Sequence, residues 1–177
     1  QLFDAVRHLH RRQALICGLN PDIMRIRAPQ PMADAAAGDE PEAERLLIST
    51  AGIWSAKDLL ATLHDRTLRG VAIEDVELRY VAPELLTGRS ADVRSDVFTL
   101  GVLAYEMATG KRPYEAESMP GLLGVMLGGS VDDPRTLQPT LPEPAATAIV
   151  TALRARPEDR HQTARAFSEA LFAASSG

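Results

Sequence analysis

The stretch from Ser95 to Thr109 constrains the fold most, because it is apolar on nearly every side of a helix. Its apolar residues are Val97, Phe98, Leu100, Val102, Leu103, Ala104, Tyr105, Met107 and Ala108. A helix that is hydrophobic all round must be buried all round, so we expect the other elements to pack around it. Its end is marked by Gly110, Lys111 and Pro113, which are typical of a left-handed cap, a charge that suits the helix dipole and a breaker.

Three other stretches have the three- and four-residue spacing of amphipathic helices. They are residues 1–12 (Leu2, Phe3, Val6, Leu9), 143–154 (Ala146, Ile149, Val150, Leu153) and 164–173 (Phe167, Ala170, Leu171). Thr163 is the expected N-cap of the last one. The short apolar runs at residues 23–26 and 46–49 are predicted to pair as two small strands. The sequence therefore predicts a mainly α fold.

Composition and charge exclude several classes of protein. With 177 residues, 45% hydrophobic residues and a net charge of -5, the chain fits one globular domain. No apolar run reaches the ~18 residues of a membrane span, and the N-terminus lacks a signal peptide, so we expect a cytoplasmic protein. A start at Gln1 rather than Met suggests a piece of a longer product. The basic residues are scattered, which argues against nucleic-acid binding.

Single residues and one acidic stretch carry weaker predictions. Cys17 is the only cysteine, which excludes an internal disulfide, and we interpret it as a small buried hydrophobe. The histidines (His8, His10, His64, His161) are dispersed and are expected on the surface without a metal. Residues 28–44 combine three prolines with Asp34, Asp39, Glu40, Glu42 and Glu44. They predict a mobile surface loop, and an acidic docking tail is the functional alternative.

Two motifs point to one family. The chain reads Tyr80-Val81-Ala82-Pro83-Glu84-Leu85 and then continues from Arg94-Ser95-Asp96 to Glu106-Met107. This order closely resembles the A-P-E end of a protein-kinase activation segment and the buried helix that follows it. These motifs are most similar to those of bacterial serine/threonine kinases of eukaryotic type. The resemblance implies the helical large (C-terminal) lobe of the kinase fold, with one or two short strand pairs.

The resemblance also implies a division of the chain as one kinase-like domain over residues 1–177. Residues 1–26 would hold the first helix and the catalytic loop, 27–45 a flexible insertion, 46–84 a strand and the activation-segment equivalent, and 85–177 the helical core. The smaller lobe of the family, with its glycine-rich loop, would precede Gln1, since no G-x-G-x-x-G occurs in this sequence. Phosphorylation at Ser55, Thr62 or Thr67 is a further hypothesis for the activation-segment equivalent.

Three structural residues follow from the family pattern. The resemblance implies that Asp96 accepts hydrogen bonds from the backbone of the catalytic loop. It also implies a buried ion pair between Glu84 and Arg160, the arginine of Arg156-Pro157-Glu158-Asp159-Arg160. These roles support the fold and involve no chemistry.

The catalytic positions differ from the family pattern. Phosphoryl transfer needs a carboxylate that accepts the hydroxyl proton, oxygen ligands for magnesium and a lysine near the phosphate. Aligned on Leu19 and Pro21, the chain places Ile16, Cys17 and Gly18 at H-R-D, Asn20 at the lysine and Ile23 at the metal-binding asparagine. Thr50 falls on the aspartate of D-F-G, and Glu77 on the threonine before A-P-E. Gly18 has no proton acceptor, and Ile23 cannot bind a hard cation. Asp22 is the nearest substitute, but its family position faces away from the metals.

From these positions we predict a degenerate kinase, or pseudokinase, that is not an enzyme and needs neither ATP nor magnesium. Its function would be binding, as a scaffold or allosteric module for another kinase or signalling protein. An apolar surface around Leu15, Ile23 and Ile48 would serve this role. The alternative is an active serine/threonine protein kinase with displaced catalytic residues. A third hypothesis is that the chain is a helical interaction module with only an ancestral likeness to kinases.

Overall fold

The computed structural model of the chain describes residues 1–12, 14–16, 19, 21, 24–27, 45–48, 76–128 and 130–173. Its helices are α1 (Leu2–Arg11), α2 (Pro83–Leu86), α3 (Val93–Thr109), α4 (Met119–Gly128), α5 (Glu143–Ala152) and α6 (Ala164–Phe172). Short 3-10 turns lie at Val76–Tyr80, Pro134–Thr136 and Pro157–Asp159. Two strands, β1 (Met24–Arg27) and β2 (Arg45–Ile48), complete the described elements. The mainly α class is confirmed.

Helix α3 is the predicted buried helix, and it begins two residues before the predicted start. Asp92 is its N-cap and accepts a hydrogen bond from the Arg94 N–H at 2.7 Å, while the Ser95 hydroxyl accepts from the Asp92 N–H. This reciprocal arrangement is a capping box, which satisfies backbone donors that the first turn leaves free. Gly110 ends the helix in the left-handed conformation (φ +70°), as predicted. Its N–H donates to the Glu106 carbonyl at 2.8 Å.

The other long helices pack on α3 and on one another. Helix α5 contacts α3 and α6, and α6 also contacts α1 and α3. Val6 of α1, Ile149 of α5 and Phe167 of α6 are buried in the resulting core. The Thr163 hydroxyl accepts a hydrogen bond from the Ala166 N–H at 3.0 Å, so the predicted N-cap of α6 is confirmed.

One prediction for α3 is wrong at its C-terminal end. Met107 is 80% exposed, although the helix was expected to be buried all round. Ala104, Glu106 and Ala108 are likewise not fully buried, and Ala104, Met107 and Ala108 line an open cavity between α3 and the helices α1, α5 and α6. Burial therefore applies to the segment Ser95–Leu103 together with Tyr105.

The predicted strand pair is also present. β1 and β2 are antiparallel, with Met24 opposite Ile48 and Arg27 opposite Arg45. The predicted loop at 28–44, and the activation-segment equivalent before Val76, lie outside the described residues. The same holds for Ile23, and for the side chain of Ile48, so the predicted apolar surface around Leu15 stays a prediction. The division into segments stays a prediction as well.

Within the described ranges, no helix is both long enough and apolar enough to cross a bilayer.

Candidate functional site

The buried polar residues of the described part of the chain converge on the N-terminal half of α3. They are Glu84, Ser95, Asp96, Thr99 and Arg160, and we call them the buried polar network. Buried polar groups are costly unless they are hydrogen-bonded, so the partners of each residue matter for stability.

Glu84 and Arg160 form a bidentate ion pair. Arg160 donates from its two terminal nitrogens to the two carboxylate oxygens of Glu84, each at 2.8 Å. The side chains are 0% (Arg160) and 5% (Glu84) exposed. A parallel pair of charge-assisted bonds fixes both groups in one geometry. The structure thus joins the two residues that the family pattern pairs.

Arg160 has a partner for each of its five N–H groups. Besides Glu84, it donates to the carbonyl oxygens of Arg154 at 2.7 Å, Ala155 at 2.9 Å and Arg94 at 3.0 Å. Its guanidinium carbon lies 4.9 Å from the centre of the Phe98 ring, within the range of a cation–π contact. Arg160 therefore ties the loop after α5 to the start of α3.

Ser95 connects this ion pair to the cap of α3. Its hydroxyl donates to a carboxylate oxygen of Glu84 at 2.8 Å and accepts from the Asp92 N–H. The side chain of Arg94 donates to the Asp92 carboxylate, and this hydrogen bond lowers the pKa of Asp92. Sequence reasoning missed Asp92, although aspartate directly before a helical run is a favoured N-cap residue.

Asp96 holds the segment that follows α1. Its two carboxylate oxygens accept from the Ile16 N–H at 3.2 and 3.0 Å. His10 of α1 lies 2.8 Å from the same carboxylate. The Nε2-protonated form of the imidazole is the one that can donate a hydrogen bond to this carboxylate. The first turn of a helix also favours a negative charge. Asp96 thus links Ile16, in the segment that follows α1, to α3.

The surface prediction for the histidines is wrong for two of them. The His10 side chain is only 11% exposed because it packs against Asp96. His161 is half-buried and stacks on the Phe167 ring at 5.3 Å. Its Nε2 lies 3.2 Å from the Ala148 carbonyl, and burial lowers its pKa. His8 is exposed as predicted, and His64 lies outside the described residues.

Thr99, Tyr80 and Tyr114 form further hydrogen bonds and ring contacts around α3. The Thr99 hydroxyl donates to the Tyr80 carbonyl at 2.8 Å, which holds the chain just before α2 against α3. The Tyr80 hydroxyl donates to Glu106 near the other end of α3. Tyr114 stacks on Phe98, donates to the Leu153 carbonyl at 2.9 Å, and has its pKa raised by burial.

The predicted catalytic positions lie outside the described residues. This applies to Gly18, Ile23 and Thr50, and also to Cys17 and Asp22. Ile16 and Leu19, which flank the glycine, are described and buried. The described side chains contain no group of three His, Cys, Asp or Glu residues that could hold a metal ion.

Residues 63–172 match the family model of the protein kinase domain. Among similar proteins, the tyrosine-protein kinase MasK of Myxococcus xanthus is 37% identical over 120 residues, which are 68% of this chain and 18% of MasK. The serine/threonine-protein kinase PknA of Mycobacterium tuberculosis is 32% identical over 130 residues, or 73% of this chain and 28% of PknA. The chain thus spans less than a third of the length of these relatives.

Solved kinase domains share the fold. A mutant of the PknI kinase domain of Mycobacterium tuberculosis superposes with a TM-score of 0.63 at 19% identity, over 99% of this chain and 52% of that one. The Rad53 kinase domain and SCD2 in complex with AMPPNP gives a TM-score of 0.62 at 20% identity, over 96% of this chain and 53% of that one. The agreement covers the helical lobe.

These comparisons correct two predictions. The prediction that the protein is not an enzyme is contradicted by its relatives, which are named as protein kinases. The prediction that ATP and magnesium play no part is contradicted by the matched family and by the structure that holds the ATP analogue AMPPNP. Both rested on the side chains at Gly18, Ile23 and Thr50, whereas catalytic groups are defined by geometry rather than by sequence position. With most of its length matched by the domain model, the chain belongs to the protein kinase family.

Proposed function

We propose that the protein is a serine/threonine protein kinase with displaced catalytic residues, and that this chain supplies its helical lobe. The reaction transfers the terminal phosphate of ATP to a serine or threonine hydroxyl of a protein. MasK is named a tyrosine-protein kinase. PknA, Pkn1 of Myxococcus xanthus and a probable kinase of Clostridium acetobutylicum are named serine/threonine-protein kinases, which supports this substrate class. The observation that carries the proposal is the match of residues 63–172 to the protein kinase domain, and the buried polar network supports it as the framework of the lobe.

Through this network, two consecutive residues of α3 each hold a different segment of the chain. Ser95 contacts Glu84, at the end of the activation-segment equivalent, and Asp96 contacts Ile16, at the start of the catalytic-loop equivalent. A helix buried over its first three turns is a rigid support. Holding the acceptor protein and the reacting groups in fixed register lowers the entropic part of the barrier. We therefore assign Ser95 and Asp96 as positioning residues.

The family positions for magnesium do not fit the metal. Gly18 and Ile23 have no side-chain oxygen, and Thr50 offers a neutral hydroxyl, whereas magnesium prefers carboxylate and phosphate oxygens. We derive no step through the metal at these positions. When bound, ATP supplies the phosphoryl group. Asp22 is the carboxylate nearest to Gly18 and Ile23 in sequence. Its family position faces away from the metals, but uptake of the hydroxyl proton needs no contact with a metal, and we propose Asp22 as the displaced acid–base residue.

A phosphotransfer assay tests this proposal. The native gene product is incubated with radiolabelled ATP, magnesium and a serine/threonine peptide library. We expect transfer to hydroxyl residues and a loss of about 10²-fold or more in Asp22→Asn, which is typical for removal of an acid–base group. Asp34→Asn, in the acidic stretch, is the matched control and should keep full activity. Absence of transfer by the native protein refutes the proposal, and an active Asp22→Asn refutes the assignment of Asp22.

A second candidate is a scaffold or allosteric role in signalling. The residue types at Gly18, Ile23 and Thr50 favour this role. They do not fit the metal of phosphoryl transfer, so the lobe could serve in protein binding instead. The matched Rad53 kinase domain structure also contains SCD2. Cross-linking and mass spectrometry of the native gene product in its own cells should then recover one protein partner at fixed lobe residues. Recovery of no reproducible partner would count against this role.

A further inference from the structure

A cavity lies beside the buried ion pair of Glu84 and Arg160, against the loop between α5 and α6. It has a volume of about 400 Å³, which is within the range of about 300–1,000 Å³ that ligand clefts occupy. Its walls come from the end of α2, the end of α4 and the turn that precedes Arg160. Its charged lining residues are Glu84, Arg89, Arg156 and Glu158. We call it the arginine cavity.

Two arginines from distant segments of the chain meet in the arginine cavity. Arg89 follows α2, and Arg156 precedes the 3-10 turn Pro157–Asp159. Both are exposed, and neither side chain has an ion-pair or hydrogen-bond partner among the described residues. Two unpaired cations in one cavity raise the local positive potential, which favours an anionic ligand.

The backbones that carry these two side chains are held by the buried ion pair. On one wall, the Arg89 N–H donates to the Glu84 carbonyl at 2.9 Å. On the other wall, Arg160 donates to the carbonyl of Ala155, directly before Arg156, at 2.9 Å. The same guanidinium donates to both carboxylate oxygens of Glu84. The two walls are therefore preorganised, which reduces the entropy lost when a ligand bridges them.

The acidic residues of the cavity leave its net charge positive. Both carboxylate oxygens of Glu84 accept from Arg160, which neutralises that charge. Glu158 is the remaining acidic lining residue, and its carboxylate forms no hydrogen bond or ion pair with Arg89 or Arg156. Two free guanidinium groups thus face one carboxylate.

The groups around the arginine cavity select a dianion with an apolar carrier. A guanidinium group binds phosphate through two parallel hydrogen bonds, and a tetrahedral phosphate has oxygens for two such groups at once. A phosphate monoester carries about -1.5 to -2 charges at pH 7, which matches two arginines better than a single carboxylate does. Leu127, Ala155 and Pro157 form the apolar part of the lining and can contact a small apolar carrier.

We propose that the arginine cavity binds a small phosphate monoester, with the phosphate between Arg89 and Arg156 and its apolar carrier on Leu127 and Pro157. The bound ligand bridges the segment after α2 and the turn that leads to Arg160. It therefore stabilises the folded lobe, because the unfolded chain does not hold the two arginines together. This site lies apart from phosphotransfer, so it can be tested even if the proposed kinase activity is absent.

Isothermal titration calorimetry of the native gene product with phenyl phosphate, at constant ionic strength, tests the inference. We expect saturable binding with a Kd of about 1 mM or below, and a Tm that rises with the ligand concentration. Arg89→Gln combined with Arg156→Gln should weaken the Kd about tenfold or more, because both charge-assisted contacts are lost. Arg154→Gln is the matched control, since it removes a nearby exposed arginine that does not line the cavity. It should change the Kd less than about threefold, as expected of a screened charge.

Two further measurements test the charge of the ligand and of the cavity. Phenyl sulfate has nearly the same shape but a single negative charge, and should bind about fivefold or more weakly than phenyl phosphate. Glu158→Gln removes the opposing carboxylate and should tighten the Kd of phenyl phosphate about two- to fivefold. Far-UV circular dichroism should be unchanged in these variants, since the substituted side chains are exposed.

Four results would overturn the proposal. They are no binding of phenyl phosphate to the native product, equal binding of phenyl sulfate, an Arg154→Gln effect as large as that of the double variant, and weaker binding in Glu158→Gln. A phosphotyrosine peptide that binds about tenfold more tightly than phenyl phosphate would assign the cavity to a phosphorylated protein, and would overturn the small-molecule assignment as well.

Discussion

Replacing Glu84 by glutamine should destabilise the protein strongly, although the two side chains have almost the same shape. Glutamine keeps one oxygen acceptor but replaces the other by an NH₂ donor, which faces an N–H group of Arg160. The Arg160 charge, fully buried at 0% side-chain exposure, would lose its counter-charge. Breaking a buried pair from one side typically costs about 3–5 kcal/mol. This is a large part of the ~5–15 kcal/mol that stabilises an ordinary domain.

Urea denaturation followed by circular dichroism measures this cost. The matched control is Glu169→Gln, which removes the exposed partner of Arg165 in a pair four residues apart on α6. An exposed pair of this kind is screened by water and contributes little, so Glu169→Gln should destabilise the protein far less than Glu84→Gln. The reasoning is refuted if Glu84→Gln costs less than about 1 kcal/mol. It is also refuted if Arg160→Met restores none of the loss in a double-mutant cycle.

Two further predictions concern packing and pH. A Cβ atom at Gly101 would lie 2.8 Å from the Ala152 Cβ, so Gly101→Ala should lower the free energy of unfolding by about 1–3 kcal/mol in the same denaturation assay. Gly124→Ala is the control, because nothing lies within 4 Å of a Cβ atom there, and it should be neutral or stabilising. Equal losses of stability at both sites would contradict the packing argument. Burial lowers the pKa of His161 below its ordinary ~6.5, so the unfolded state takes up the proton first and the free energy of unfolding should fall as the pH drops through that value. His161→Gln should flatten this part of the profile, and an unchanged slope would show that other groups cause it.

Local sequence patterns predicted the long helices and the strand pair well. The apolar run ending at Gly110 and the spacing around Ile149 and Phe167 depend on periodicity, which a sequence shows directly. Helix α4 was not predicted, because Pro120, Gly121 and Gly124 oppose a helix in isolation and tertiary contacts of Leu122 and Met126 stabilise it.

The sequence likewise predicted only part of the candidate site. The family motif located Glu84, Asp96 and Arg160 as a set, because their spacing relative to A-P-E is visible in the sequence. It could not show that His10 shares the carboxylate of Asp96, since these residues are 86 positions apart and meet only when α1 packs beside α3. Position-by-position alignment also led to the wrong conclusion on enzymatic activity, which the kinase relatives corrected.

The sequence by itself therefore determined which segments become helices, which of them is central, and to which family the residue pattern belongs. Only the tertiary structure decided that five N–H groups of Arg160 all find acceptors, and that Ser95 and Asp96 hold two distant segments side by side. The physical reason is the separation along the sequence over which each kind of interaction acts. Periodicity and capping act within a few residues, whereas the partner of a buried charge is set by which helices pack together.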